Sequence, residues 1–237
     1  MKKQLLLLGV FFATAAVCQA EPIAIDRIPA SAKWAAHFDV EKFKSSALNK
    51  LMMEEMAKPE VSERIISQIE LAGQAFGFNP FQVAQDLRSQ GVAGTVEEGA
   101  ARAEYYLGFN PLRDVTGITM YGSEFKPKEG VILLSGTFKT QNLVNLLNTD
   151  TSHVEHPYQS GVIHEWMSPY RNRKAFAAFY SDGLIVLGSS EAYVQESLDV
   201  LDGSGANIAA GLALQTLPAV PAGAIFVAAA VEFSQLP

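Results

Sequence analysis

The sequence predicts an α+β fold: an antiparallel sheet built from strand–strand–helix units, with helices packed on one face and a helical cluster near the N-terminus. Three observations lead there. In Lys174–Asp202, two apolar β-prone runs, Ala175–Tyr180 and Leu184–Leu187, meet across Asp182-Gly183 and are followed by the candidate helix caps Ser189 and Ser190. An Asp-Gly pair between such runs is a strong hairpin signal. Helical periodicity is grouped early in the chain and strand-like runs late, whereas a parallel doubly wound sheet needs strict alternation. Hydrophobic residues make up 49% of the chain and charged residues 18%, which is enough for a core and carries no mark of disorder.

Spacing and caps place the elements in order. Glu21–Ala32 is a proline-punctuated lead-in, and Lys33–Asp39 reads as a strand. Asp39 caps a helix whose face is Leu48, Leu51, Met52 and Met56, and Pro59 breaks it or starts the next one. Val61–Phe76 is a second helix. Phe76–Pro80 and Leu107–Pro111 both end in Gly-Phe-Asn-Pro, and Asn before Pro is a good helix start. A helical insert over residues 79–109 therefore sits between two similar joints: one helix over Asn79–Gln90, another from the capping box Thr95-x-x-Glu98. Val115–Tyr121 and Val131–Phe138 are strands around a polar loop, and Thr140 caps a short helix bearing Leu143, Val144 and Leu147. Asn148–Ser160 reads as a polar connection, Val162–Met167 as a strand, and Pro169–Arg173 as a loop. After the hairpin, a helix carries Val194, Leu198 and Leu201 until Gly203 stops it. Ile208–Leu217 is a weak helix and Ala224–Val231 the last strand. The chain ends where another helix is expected, so an open sheet edge follows, with the chain either a fragment of a longer protein or paired with a second one.

The N-terminus reads as an address. Lys2-Lys3 precede an apolar run, Leu5–Val17, and Cys18-Gln-Ala20 puts small residues where a signal peptidase reads them. Residues 1–20 are the expected signal peptide and 21–237 a single domain, exported to the periplasm or beyond. The alternative is a lipid anchor at Cys18, although Ala15-Ala16-Val17 matches the leucine-led lipidation motif poorly. Cys18 is the only cysteine, so the domain is held by its core without disulfides. Losing Lys2 and Lys3 takes the net charge from −7 to −9. An acidic surface argues against nucleic acid as a partner. Arg171–Lys174 is the one dense basic run and reads as a solvated loop. No stretch of the mature chain is long and apolar enough for a membrane span.

Few residues invite chemistry. There is no Gly-x-Ser-x-Gly elbow, and Asp202–Ala206 lacks the dinucleotide fingerprint and follows a helix where that motif follows a strand. The strongest set is His153-x-x-His156, with Glu155 between, and His164-Glu165. His153, His156, His164 and Glu165 offer nitrogen and carboxylate ligands of the kind zinc takes. Against a helical His-x-x-His stands Pro157, which biases the segment away from helix; the plainer reading is a polar loop and a strand with His164 facing solvent. Tyr105, Tyr106, Tyr121, Tyr158, Trp166, Tyr170 and Tyr180 are candidates for a ligand pocket, though aromatic residues on strands more often pack against their neighbours.

Pro29–Asp39 (with Lys33-Trp-Ala-Ala-His-Phe-Asp39), Asp114–Gly122 and Ile185–Glu191 together resemble segments of a group of uncharacterised exported bacterial proteins. The resemblance implies export and an α+β fold and carries no activity. The expected function is that of a non-catalytic interaction module of the cell envelope or extracellular space, working through its surface or an open sheet edge, with a protein partner or by self-association. The alternatives are a zinc-binding protein or metal-dependent hydrolase using the His/Glu cluster, and a binder of a small apolar ligand.

Overall fold

The computed structural model describes residues 24–56, 96–124, 129–168, 173–210 and 224–230. Eight strands form one antiparallel sheet: β1 (Trp34–Asp39), β2 (Val115–Gly122), β3 (Val131–Gly136), β4 (Val154–Tyr158), β5 (Gly161–Ser168), β6 (Arg173–Ser181), β7 (Leu184–Gly188) and β8 (Phe226–Ala230). Their order across the sheet is β4-β5-β6-β7-β3-β2-β1-β8, so the sheet is open and ends in β4 and β8. The helices are α1 (Val40–Ser45), α2 (Ala47–Met56), α3 (Val96–Leu107), α4 (Pro111–Asp114), α5 (Thr140–Leu147) and α6 (Glu191–Leu201). The α+β class with an antiparallel sheet is therefore as the sequence predicts.

Local chemistry accounts for most helix ends. The Asp39 carboxylate accepts from the Lys42 N–H at 2.9 Å and starts α1. Ser46 then separates α1 from α2, and its hydroxyl accepts from the Asn49 N–H at 3.0 Å, so one expected helix is two. The Asn110 side chain accepts from the N–H groups of Leu112 and Arg113, with Pro111 in the first turn of α4. Ser190 accepts from the Tyr193 N–H to start α6, and Gly203 takes the left-handed conformation (φ 76°) just beyond its end. Thr140 is not the cap of α5: it is the first helical residue. The cap is supplied from the β6–β7 turn, where Asp182 Oδ1 accepts from the Thr140 hydroxyl at 2.6 Å and from its N–H at 3.3 Å.

The helices divide between the two faces of the sheet, where the sequence led us to expect one. Alternation along β7 sends Leu184 and Val186 to one face and Ile185 and Leu187 to the other. On the first face Val186, Val131, Leu133, Ile163 and Ala178 pack with Val194 and Leu198 of α6 and with Ile28 and Ile208 from flanking turns. On the second, Ile185 packs with Phe109, Val115, Phe138 and Leu143 of α5, joined by Leu107 of α3. Phe109 and Phe138 meet edge to face, centroids 5.0 Å apart. Each fully buried aliphatic side chain contributes about 1.5–3 kcal/mol. A strand carrying four consecutive apolar residues has no polar face to turn outward, so both faces need cover.

Two further expectations change. Asn148–Ser160 is not a plain connection: β4 lies within it and pairs with β5 across the two-residue turn Gln159-Ser160. Its composition, Val-Glu-His-Pro-Tyr, and its exposure hide it, because an edge strand needs no continuous apolar pattern. His164 does not face solvent; it is 4% exposed. The signal segment, the helices over Val61–Phe76 and Asn79–Gln90, Thr95, Tyr170 and most of Ile208–Leu217 lie outside the described residues; the described part of the last, Ile208–Ala210, is a 3-10 turn. Among the described residues, no helix is long and apolar enough to cross a membrane.

Candidate functional site

The β4–β5 hairpin carries the histidine-rich segment and splits it. Cross-strand partners are Val154 with Glu165, Glu155 with His164, and His156 with Ile163. Alternate residues of a strand point to opposite faces. His156 and Glu165 therefore share the α6 face with Ile163, while Glu155 and His164 share the other. The four residues singled out from sequence do not converge, because a three-residue spacing that unites two histidines on a helix separates them on a strand.

On the α6 face, His156 Nε2 lies 3.1 Å from Glu165 Oε2, and Lys174 Nζ lies 2.7 Å from Glu165 Oε1. The Lys174 ammonium, with a further contribution from His156, holds the Glu165 carboxyl below its usual range. Glu191, in the first turn of α6, places Oε1 3.9 Å from His156 Nδ1. In this cluster the Glu165 carboxylate already has a cation in Lys174.

On the opposite face, His153 Nε2 lies 3.0 Å from His164 Nδ1, with the two rings stacked at a centroid distance of 5.2 Å. Glu155 Oε1 lies 3.8 Å from the same His164 nitrogen. Ligand atoms of His153, Glu155 and His164 all fall within 4.8 Å of one another. Phe179 on β6 closes the far side of His164, ring centroids 5.0 Å apart. Burial, and then the neighbouring His153, push the His164 imidazole below its usual pKa, against a smaller opposing pull from Glu155. The imidazole is thus uncharged at neutral pH and offers a lone pair.

The local chain holds this group firmly. Asp150 Oδ1 accepts from the Ser152 N–H at 2.8 Å and from its hydroxyl at 2.7 Å, and Ser152 Oγ accepts from the Met167 N–H at 3.0 Å. That turn delivers His153 to β5. At the other end, the Tyr158 hydroxyl donates to Asp199 of α6 at 2.9 Å, and Gln159 Nε2 donates to the same oxygen. Gln159 itself has φ 51°, a left-handed conformation that glycine adopts more easily. In the sequence Glu155 stands beside the four candidate ligands His153, His156, His164 and Glu165, and nothing there points to Phe179 or Lys174. The i, i+2 spacing of His153 and Glu155 was the available signal, legible once the segment is read as a strand.

Among the described residues, the aromatic candidates do not gather around one pocket. Tyr121 is buried and its hydroxyl meets Ser197 at 2.6 Å, Tyr105 is exposed, and Tyr180 donates to Asp202 and to the Leu201 carbonyl. An open cleft of about 800 Å³ takes only Tyr180 from the set and is bordered by Asp26, Arg27 and Glu41, a charged lining ill suited to an apolar ligand. No family model, no curated protein and no solved structure matches this chain.

Proposed function

We propose that this is an exported, non-catalytic interaction module that joins a second copy of itself by strand addition at β8. The observation that carries the reading is the contrast between the two edges of the open sheet. At the β4 edge, a two-residue hairpin turn is closed by a hydrogen-bonded pair, here Tyr158 with Gly161. Strict alternation then turns the Pro157 nitrogen outward, where it removes a donor from the edge. Glu155 and His156 precede it. Charge and proline are the usual guards against strand addition.

Among the described residues, the β8 edge has no such guard. Its sequence, Phe226-Val-Ala-Ala-Ala230, contains neither charge nor proline. The Asp39 N–H donates to the Ile225 carbonyl at 2.8 Å. With the register Phe38–Phe226 and His37–Val227, this puts Val227 and Ala229 in the bonded positions toward β1. The backbone groups of Phe226, Ala228 and Ala230 then point to the open side, where no described strand pairs with them. Small side chains at Ala228 and Ala230 let a second copy of β8 approach antiparallel about a two-fold axis. Sedimentation of the untagged protein over a concentration series tests this: a reversible dimer that Ala228→Pro converts to monomer is expected. A wild-type monomer at all concentrations, or a dimer indifferent to Ala228→Pro, overturns it.

A further inference from the structure

We infer that His153, Glu155 and His164 form a three-ligand site for a divalent transition metal of the zinc class at the β4–β5 hairpin, distinct from the β8 edge. Four observations carry this. The ligand types are right: two imidazoles and one carboxylate, with a fourth position left for water, is an established zinc ligand set. The spacing is right: all three ligand atoms lie within 4.8 Å of one another. A zinc ion with Zn–N distances of about 2.0–2.1 Å in tetrahedral geometry separates two ligand nitrogens by about 3.3–3.4 Å. The nitrogens of His153 and His164 stand 3.0 Å apart, so the pair needs to open by only a few tenths of an ångström.

The third observation is burial. His164 is 4% exposed, and its Nδ1 is directed at His153 and Glu155. Two neutral imidazoles in hydrogen-bond contact hold one proton between the facing nitrogens; when the donor ring carries its proton on its other nitrogen instead, both facing lone pairs are open to a metal ion. Glu155, directly across the ladder from His164, is half exposed and is free to swing its carboxylate inward. The fourth observation concerns the opposite face, where Lys174 already neutralises Glu165. An ammonium bound to the carboxylate competes with a cation there, so His156 and Glu165 are the weaker pair of the sequence-derived set.

The test uses zinc chloride alone, titrated calorimetrically into the untagged protein after chelator treatment. One equivalent bound with a raised melting temperature is expected. Cobalt(II) in place of zinc gives the visible bands of a four-coordinate ion. Glu155→Gln, at an exposed position that does not threaten folding, weakens binding about tenfold or more, and His153→Ala removes it. His156→Ala, on the other face, leaves affinity and stoichiometry unchanged. No binding by the wild type, or wild-type affinity in His153→Ala, overturns the site; equal loss in His156→Ala moves it to the other face and overturns it as well. Because none of these residues lies on β8, the dimer experiment stands or falls separately.

Discussion

Gly188 leaves little room between the sheet and its covering helix. A Cβ there would lie 2.5 Å from Val194 Cγ2 and 3.1 Å from the Ser190 carbonyl oxygen. We predict that Gly188→Ala costs roughly 1–3 kcal/mol by overpacking, read as a lowered urea midpoint with an unchanged slope; an unaltered midpoint would mean that α6 can ride outward freely. Nearby, Ser197 Oγ donates to the Tyr193 carbonyl at 2.7 Å and so accepts from the buried Tyr121 hydroxyl at 2.6 Å. Burial raises the Tyr121 pKa well above the ordinary tyrosine value. Ser197→Ala leaves that hydroxyl without its acceptor and is expected to cost about 1–3 kcal/mol. Adding Tyr121→Phe should recover part of the loss, and a strictly additive double mutant would rule the pairing out. The caps at Asp39, Asn110 and Ser190 were legible in the sequence because each acts on a donor two or three residues away. The Tyr121–Ser197 contact was not, because 76 residues separate its partners.

At the scale of elements, α5 shows a start signal written in another part of the chain. Its first turn depends on Asp182, 42 residues away in the β6–β7 turn. Asp182→Ala is expected to lower the melting temperature, as for other lost N-terminal caps. The Thr140 hydroxyl, and then its N–H, hold the Asp182 carboxyl below its ordinary value. A carboxyl depressed in the folded state contributes stability that is complete above the unfolded value of about 3.9 and is lost as pH falls through the lower, folded value. Acid unfolding of Asp182→Asn should lack that part of the limb; a curve superposing on the wild type would exclude the role. The β4–β5 hairpin illustrates the complementary difficulty. Pro157 argues against helix and at the same time obscures strand, so the segment reads as a polar loop. Once period 2 replaces period 3.6, His153 and His156 part company and Glu155 replaces His156 beside His164.

At the scale of the whole molecule, the two sheet edges differ in chemistry, and the proposed assembly follows from that difference. Ala228→Pro blocks only outward-facing groups, whereas Val227→Pro removes a donor in the bonded position toward β1. The first variant should dissociate the dimer while keeping the wild-type melting temperature of the monomer; the second should destabilise the fold itself. If both variants destabilised the monomer alike, the assigned alternation along β8 would be wrong. The address is testable on the intact exported protein by mass. A chain beginning at Glu21 is expected, and an acylated Cys18 at the new N-terminus would replace cleavage after Ala20 with a lipid anchor.

The sequence by itself determined the α+β class, the central hairpin with its helix, and the caps that act within one turn, because these rest on periodicity and on contacts between near neighbours. Its apolar run in β7 also marks a strand that needs cover on both faces. Only the tertiary structure decided which helix covers which face, that β4 exists as an edge strand, and that Asp182 starts α5. It also sorted the histidine segment into a lysine-neutralised cluster on one side and a His–Glu–His group on the other. The physical reason is the pleat: the direction of each side chain depends on strand state and register, and in an exposed edge strand the hydrophobic pattern that reports both is missing.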